Sequence, residues 1–407
     1  LVFAVKPAQV LLDPTTIPKF VNQLVTPPVY VPTIVTDALG NVIEHDYVID
    51  VTEFYEQILP TVDALGNPTG FAQTKVWGYG GLIQTTVGLV YFRNSPAATF
   101  EATRGIPIRV KWVNNLGTAA NPLSHMFAVD PTLHWADPNN LGMPMAPFTA
   151  YPPGYPLAQS PVPIATHLHG GEVASTSDGH PDSWFTVNGL KGSAYNSLDA
   201  TDTNAATFTY PNTQLPTTLW YHDHALGITR INVMSGLAGF YLLRDPVDTI
   251  ASSLPSGQYE IPIAIQDRTF NLDGSFWFPT IGMNPTIHPY WMPEFFGNTI
   301  MVNGKVWPNL NVEPRQYRFR LLDGSNARFY TLSFSNKMAF TQIGSDGGYL
   351  PTAVPLTTLT IAPGERADIL VDFSGLAPGT KVILQNTAKA PFPAGAPADP
   401  QTVGQIM

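Results

Sequence analysis

The chain has 407 residues, enough for two or three domains with separate hydrophobic cores. Its 40 prolines and 33 glycines, with only 12% charged residues, are typical of a turn-rich protein built on short strands, so we predict an all-β fold. The formal net charge of -10 arises without basic clusters, which argues against a nucleic-acid-binding protein. No stretch approaches the roughly 18 uninterrupted apolar residues of a membrane span. The lack of cysteine excludes disulfides and cysteine-ligated metals within the chain.

Strand patterns follow a turn-rich N-terminal segment. Residues 1 to about 75 mix short apolar stretches with Pro-Pro and Gly-Asn turns, which predicts a wrapper of strands and loops. Residues 106–113 alternate apolar and polar side chains with the period of two of a half-buried strand. Residues 117–163 are proline-rich and aperiodic, and a loop of this length is usually functional or covers another part of the domain. Further strands are predicted at 100–102, 206–210, 217–222 and 236–243.

The second half of the chain repeats this layout. Residues 310–314 and 317–322 are similar to the strand pair at 100–113, and residues 359–371 are similar to 207–221. Arg244-Asp245-Pro246 is the predicted boundary between the two units. We therefore predict two related β-sandwiches, at residues 1–245 and 246–407, of which the first includes the wrapper and the long loop.

Four of the nine histidines form two His-x-His pairs. One pair lies in Thr-His-Leu-His-Gly-Gly and the other in Trp-Tyr-His-Asp-His. The four residues are His167, His169, His222 and His224. On a strand, residues i and i+2 face the same side about 6.6 Å apart, so each pair can present two imidazoles to one metal cluster. Neutral imidazoles without a thiolate suit copper or zinc, and the ligand set alone does not choose between these metals.

Both histidine motifs, with Ser177-Asp178-Gly179, resemble the first two copper motifs of the multicopper oxidases, in particular the branch of bacterial spore-coat laccase and phenoxazinone synthase. The likeness covers nearly the whole chain and continues through residues 77–82, 110–116, 226–245, 302–308 and 343–348. It implies tandem cupredoxin-like Greek-key β-sandwiches, two in this chain, with the third domain of the family missing and the second domain free of copper.

The resemblance also implies a role for each histidine. By position, His167 binds a type 2 copper, while His169, His222 and His224 bind a type 3 pair. In the family, this trinuclear cluster reduces dioxygen to water with electrons from a distant type 1 copper. Asp178, eleven residues after His167, is the candidate for delivering protons through water. The alternative is a turn aspartate with no chemical role.

The remaining polar and sulfur-containing residues have simpler interpretations. Met143 and Met145 are expected to pack rather than to bind Cu(I), although thioethers favour that ion. Loop positions or local hydrogen bonds are expected for His125, His134, His180 and His288.

Since the chain has no cysteine, the resemblance implies that the type 1 copper and the remaining ligands lie elsewhere. We expect a C-terminal cupredoxin-domain polypeptide of about 100 to 200 residues to supply them, together with a strand missing from the second sandwich. Residues 388–400, rich in proline and alanine, are the expected cleavage region. We expect a secreted protein or one at the cell or spore surface.

The predicted function is that of a laccase-like oxidase, which couples one-electron oxidation of phenols or aromatic amines to four-electron reduction of O2. Alternatives are an o-aminophenol oxidase similar to phenoxazinone synthase, and a bilirubin or metal-ion oxidase. The non-enzyme alternative is a copper-free cupredoxin scaffold or an inactive fragment.

Overall fold

A computed structural model describes residues 10–142, 155–279 and 291–407. Met143, Met145 and His288, discussed above, lie outside the described residues. The strands are β1 (Thr33–Thr36), β2 (Val42–Glu56), β3 (Thr74–Thr85), β4 (Gly88–Arg93), β5 (Ala97–Thr103), β6 (Ile108–Asn114), β7 (Thr166–His169), β8 (Ala205–Tyr210), β9 (Thr217–Asp223), β10 (Ala238–Arg244), β11 (Glu260–Arg268), β12 (Thr299–Val302), β13 (Lys305–Val306), β14 (Gln316–Asp323), β15 (Tyr330–Phe334), β16 (Phe340–Ser345), β17 (Gly348–Leu356), β18 (Leu359–Ile361), β19 (Arg366–Asp372) and β20 (Leu384–Asn386).

Helices are short throughout the described residues. The α-helices are α1 (Tyr155–Ala158) and α2 (Thr229–Ser235), and the 3-10 helices are Pro14–Thr16, Ser175–Ser177, Pro181–Ser183, Ala251–Ser253 and Gly257–Tyr259. None of the helices described is long and apolar enough to cross a membrane.

Strands β1 to β10 form two sheets that enclose one core. The first has the order β4-β3-β2-β6-β8, with β1 paired to β2, and the second has the order β5-β10-β9-β7. Aromatic rings fill the space between the two sheets. The ring centres of Phe100 and Tyr221 are 5.1 Å apart and those of Tyr79 and Trp112 are 5.4 Å apart, both pairs in edge-to-face geometry. Such pairs contribute about 0.5–1.5 kcal/mol each beyond the burial of their surface. This core supports β7 and β9, the strands that carry the histidines.

The later strands, β11 to β20, form two further sheets. The larger has the order β13-β12-β11-β14-β19-β16-β17, and the smaller has the order β18-β15-β20. All nine residues of β11 are buried because this strand lies inside the larger sheet and is covered on both faces. The last strand of the first pair of sheets ends at Arg244 and the first strand of the second pair begins at Glu260, although the domain limits at 245 and 246 stay a prediction.

One predicted strand is wrong. Residues 310–314 form no strand, and residues 311–316 are exposed instead of alternating between buried and exposed positions. The backbone hydrogen bonds just before this segment go to the N-terminal residues, since Leu24 N donates to Asn309 O and Asn309 N donates to Asn22 O, both at 2.7 Å. Because residues 311–316 lie at the surface, the apolar residues of this stretch do not form the predicted strand.

The N-terminal segment joins the two halves. Leu12 N donates to Phe270 O at 2.8 Å and Phe20 N donates to Trp307 O at 2.8 Å, both in the second half. Further along, Tyr30 N donates to Thr99 O at 3.0 Å in the first half. Residues 10–31 thus lie along both pairs of sheets, which is the arrangement expected of a wrapper.

Candidate metal centre

The two His-x-His pairs lie on neighbouring antiparallel strands. Strand β7 pairs with β9 so that His167 is opposite His222 and His169 is opposite Trp220. Leu168, between the two histidines of β7, points into the core and is 1% exposed. The fourth histidine, His224, directly follows the end of β9. The strand period of two therefore turns the imidazoles of β7 to the same side, as the sequence predicts.

All four imidazoles meet at one place. One nitrogen each from His167, His169 and His222 can be chosen so that all three lie within 4.8 Å of one another. The ring centre of His224 lies 5.3 Å from that of His167 and 5.7 Å from that of His222. These separations leave the space that metal ions bound to ring nitrogens would occupy.

Backbone oxygens orient two of the rings. Nδ1 of His167 lies 2.6 Å from the carbonyl oxygen of Asp178, and Nδ1 of His222 lies 2.7 Å from that of Asp223. Because a carbonyl oxygen only accepts hydrogen bonds, Nδ1 carries a proton in both rings, and in the neutral form of each ring Nε2 is the nitrogen with the free lone pair. Nδ1 of His169 lies 3.2 Å from Nε2 of His222, so this nitrogen of His169 faces the other rings.

The surroundings keep three of these histidines neutral. Burial, with smaller contributions from Arg366, His167 and His224, lowers the pKa of His169 to about 4. Burial also holds the pKa of His222 well below its ordinary value and lowers that of His224. Neutral imidazole is the form that binds metals, so the cluster is prepared for a metal near pH 7.

Asp178 lies next to the cluster. Its carboxylate Oδ1 is 3.4 Å from Nδ1 of His167, and its side chain is 43% exposed. Its backbone oxygen orients the His167 ring, as described above, and the residue follows the 3-10 helix Ser175–Ser177. The proton-transfer role suggested for the carboxylate stays a prediction.

A buried polar network beneath the histidines was missed by the sequence analysis. The carboxylate of Asp223 accepts hydrogen bonds from Ala165 N at 2.8 Å, Ala225 N at 3.0 Å and Asn232 Nδ2 at 2.7 Å. Burial raises the pKa of Asp223 to about 7. Nε2 of His125 lies 2.7 Å from Asn232 Oδ1, so this loop histidine connects to helix α2. The Asp-His spacing was visible in the sequence, but the partners of Asp223 were not.

The donor set fits a metal. Among the described residues, Nδ1 of His224 is buried without a hydrogen-bond partner, an arrangement that costs free energy unless something binds it. Four imidazoles are a ligand set for copper or zinc, as noted above. His167, His169, His222 and His224 are therefore the residues that could hold the ions.

Comparisons with known proteins agree with this chemistry. A family model described as multicopper oxidase matches residues 288–398. The laccase of Bacillus subtilis (strain 168) is 39% identical over 337 residues, which cover 82% of this chain and 56% of the laccase. Multicopper oxidase LPR1 of Arabidopsis thaliana is 40% identical over 313 residues, or 77% of this chain and 48% of that protein.

Solved structures show the same fold. A laccase from Pediococcus acidilactici matches with a TM-score of 0.62 at 24% identity, over 91% of this chain and 60% of that chain. A multicopper oxidase from Campylobacter jejuni matches with a TM-score of 0.61 at 18% identity, over 97% of this chain and 62% of that chain. The chain spans about half the length of the curated relatives it matches. It belongs to the multicopper oxidase family and has the cupredoxin-type β-sandwich fold of that family.

Proposed function

We propose that this chain carries half of the ligands of the oxygen-reducing copper cluster of a laccase-like oxidase. His167 is assigned to the type 2 copper, and His169, His222 and His224 to the type 3 pair. The observation that carries the proposal is the convergence of four histidines at the ends of β7 and β9, with burial lowering the pKa of three of them. When bound, copper supplies one-electron redox chemistry, and four one-electron oxidations of an aromatic reductant balance the reduction of one O2 to two waters.

The chain's own residues prepare the site for this reaction. The backbone oxygens of Asp178 and Asp223 hold Nδ1 of two imidazoles, which fixes the orientation of these rings and leaves Nε2 of the neutral ring as the nitrogen available to a metal. Dioxygen reduction consumes protons, and the carboxylate of Asp178 combines solvent exposure with a position beside His167. We assign it the transfer of protons from bulk water to the oxygen site.

We further propose that a C-terminal cupredoxin-domain polypeptide supplies the type 1 copper and the other ligands. The chain offers no cysteine thiolate, which a type 1 copper requires, and the curated relatives are nearly twice as long as the matched part. A cavity of about 810 Å³ between the sheets of the second half supports a docking place for that polypeptide. Phe319, Leu321, Ile369 and Phe373 line it, and these side chains suit an apolar strand.

Native mass spectrometry of the purified chain, with any polypeptide that accompanies it, tests this function. We expect a partner of about one domain in size and a copper complement that includes the trinuclear cluster. Oxygen uptake with phenols and aromatic amines is expected only from the copper-loaded complex. A chain that takes up no copper, even after anaerobic loading with Cu(I), would support the scaffold alternative instead.

The reducing substrate has specific alternatives. A solved structural neighbour from Campylobacter jejuni is described as a metallo-oxidase, which keeps metal-ion oxidation among them, beside o-aminophenol and bilirubin oxidation. Rates of oxygen consumption with a phenol, o-aminophenol, bilirubin and Fe(II), each at the same concentration, rank these substrates. We expect the phenol or o-aminophenol to give the highest rate.

A further inference from the structure

The second half of the chain forms the wall behind His169. A methyl group added at Gly364 would lie 3.2 Å from Cε1 and 3.6 Å from Nε2 of His169, so the glycine backbone lies directly against this edge of the ring. Gly364 has a φ of +84°, a conformation that favours glycine. Trp220 packs against the same ring with 5.1 Å between ring centres. Nδ1, the nitrogen on the other side of Cε1, lies 3.2 Å from Nε2 of His222, so Gly364 and His222 contact the ring from different sides.

Arg366, two residues after Gly364, is a buried cation with hydrogen bonds in several directions. Its side chain is 3% exposed. Nε donates to Thr218 O at 2.9 Å, Nη1 donates to Gly364 O at 2.9 Å, and Nη2 donates to Asp346 O at 3.2 Å. The carboxylate of Asp346 is 3.1 Å from Nη1 and also accepts from the Arg366 backbone N–H at 2.7 Å.

The guanidinium also contacts the strand that carries His169. A methyl group added at Gly170 would lie 2.6 Å from Nη2 of Arg366, so the cation packs on the backbone of the residue that follows His169. Thr218, its other partner in the first half, lies on β9, the strand that leads to His222. One side chain of the second half therefore links the two histidine strands and supports the loop behind His169.

We propose that Arg366, acting with Gly364, is a positioning residue that sets the orientation of His169 and thereby the copper affinity of the cluster. The inference rests on the proposed function, because His169 is a ligand only if the cluster binds copper. The planar guanidinium donates in three directions from one rigid group, whereas the ammonium of lysine is a point charge on a flexible stem. R366K therefore keeps the positive charge but loses the rigid planar arrangement of N–H donors.

The test compares R366K with R328K. Arg328 is a matched control because its side chain is also buried in the second half, where Nε donates to Asp267 Oδ2 at 2.9 Å and Nη2 to Gly297 O at 2.7 Å. Copper affinity is measured by competition with a chelator, and the EPR spectrum of bound Cu(II) reports ligand geometry. We expect R366K to bind copper about ten-fold more weakly, with an altered spectrum. R328K is expected to keep both properties of the wild type.

G364A provides a second route that leaves Arg366 in place. Its methyl group would press on the His169 ring, so we expect the same change in the Cu(II) spectrum. If folded R366K and G364A keep the copper affinity and the spectrum of the wild type, the positioning role is wrong.

NMR of the histidine rings separates this inference from the proposed function. In the metal-free chain, the His169 Cε1–H signal, identified by its loss in H169Q, is expected to shift in R366K and G364A but not in R328K. If the wild type binds no copper, the proposed function fails whatever the NMR shows. An unchanged His169 signal in both variants overturns the inference alone.

Discussion

The two halves of the molecule face each other with different kinds of polar residue. Strand β9 of the first half is buried along all seven residues, and the neutral hydroxyls of Thr217 and Thr218 contact Asp346 and Arg320 of the second half. Strands β11, β14 and β19 of the second half present charges instead, among them Glu260, Arg318, Arg320 and Asp368. A metal site needs unprotonated nitrogens, whereas a junction can use paired charges because each ion satisfies its partner.

The charged side forms one connected network. The carboxylate of Glu260 lies 2.6 Å from Nε of Arg320, 3.1 Å from Nη1 of Arg244 and 3.4 Å from Nη1 of Arg318. Arg318 also forms an ion pair with Asp368, and Arg320 donates to Thr218 Oγ1 at 2.7 Å across to β9. The histidines thus lie in the first half, whereas most of the charges that join the halves lie in the second, with Arg244 at the end of β10 as a contribution from the first.

The largest effect is expected from removing histidines of the first half. H222A/H224A removes two of the four imidazoles, so we expect loss of the copper held by the cluster. The amount of copper per chain is measured by elemental mass spectrometry. H180A is the matched control, since His180 is exposed in a neighbouring loop. Equal copper content in the double variant and the wild type would contradict the assignment of these residues.

The next largest effect is expected at the charged residues that join the two halves. Glu260 balances three arginines, and E260Q leaves them facing one another, so we expect the free energy of unfolding to fall by about 3–5 kcal/mol. Urea denaturation measures it. E101Q is the control. It removes a carboxylate that is 38% exposed and pairs with Arg244, so we expect the free energy of unfolding to fall by less than about 1 kcal/mol. Similar losses in both variants would show that the network is no more important than a surface pair.

At a second contact between the halves, we expect the free energy of unfolding to depend on pH. Glu56 of β2 lies 3.5 Å from Nζ of Lys305 of β13, and burial raises its pKa to about 7, although Lys305 acts in the opposite direction. The folded state therefore keeps a proton that the unfolded chain, with a pKa near 4.5, has lost. Stability from this group is present at low pH and declines as pH rises from about 4.5 to 7.

E56Q removes this titration. Relative to the wild type, we expect the variant to gain up to about 3 kcal/mol in the free energy of unfolding between pH 4.5 and pH 8, measured by urea denaturation. V48A, at an exposed position of the same strand, is the control; it leaves Glu56 in place and should run parallel to the wild-type curve. Parallel curves for E56Q and the wild type would rule out this role of Glu56.

The smallest effect concerns one hydrogen bond across the junction. T218V replaces the hydroxyl that accepts from Arg320 and leaves a buried N–H group without that acceptor, at a cost of about 1–3 kcal/mol. T36V, at an exposed position of β1, is the control. If thermal unfolding midpoints of the two variants agree, the Thr218 hydroxyl makes no net contribution.

That the histidine pairs lie on or beside strands and close together could be predicted because their spacing matches the strand period, whereas their binding of copper stays a prediction. The sequence predicted β6 and β9 to within two residues, since β6 alternates apolar and polar residues and β9 is rich in β-branched and aromatic residues. The strand predicted at 310–314 was wrong because exposure there depends on the N-terminal segment. Contacts such as Gly364 with His169 and His125 with Asn232 join residues far apart in the chain, and no local pattern records them.

The N-terminal segment, which lies along both halves, has a consequence for biosynthesis. Its backbone partners Phe270 and Trp307 leave the ribosome long after Leu12 and Phe20, so these two residues lack those partners until part of the second half has been made. Pairing across such sequence separations is slow because a large loop must close first. The contacts of Leu12 and Phe20 therefore form only after the strands around Phe270 and Trp307 have been synthesised, and they join the first half to the second at that stage.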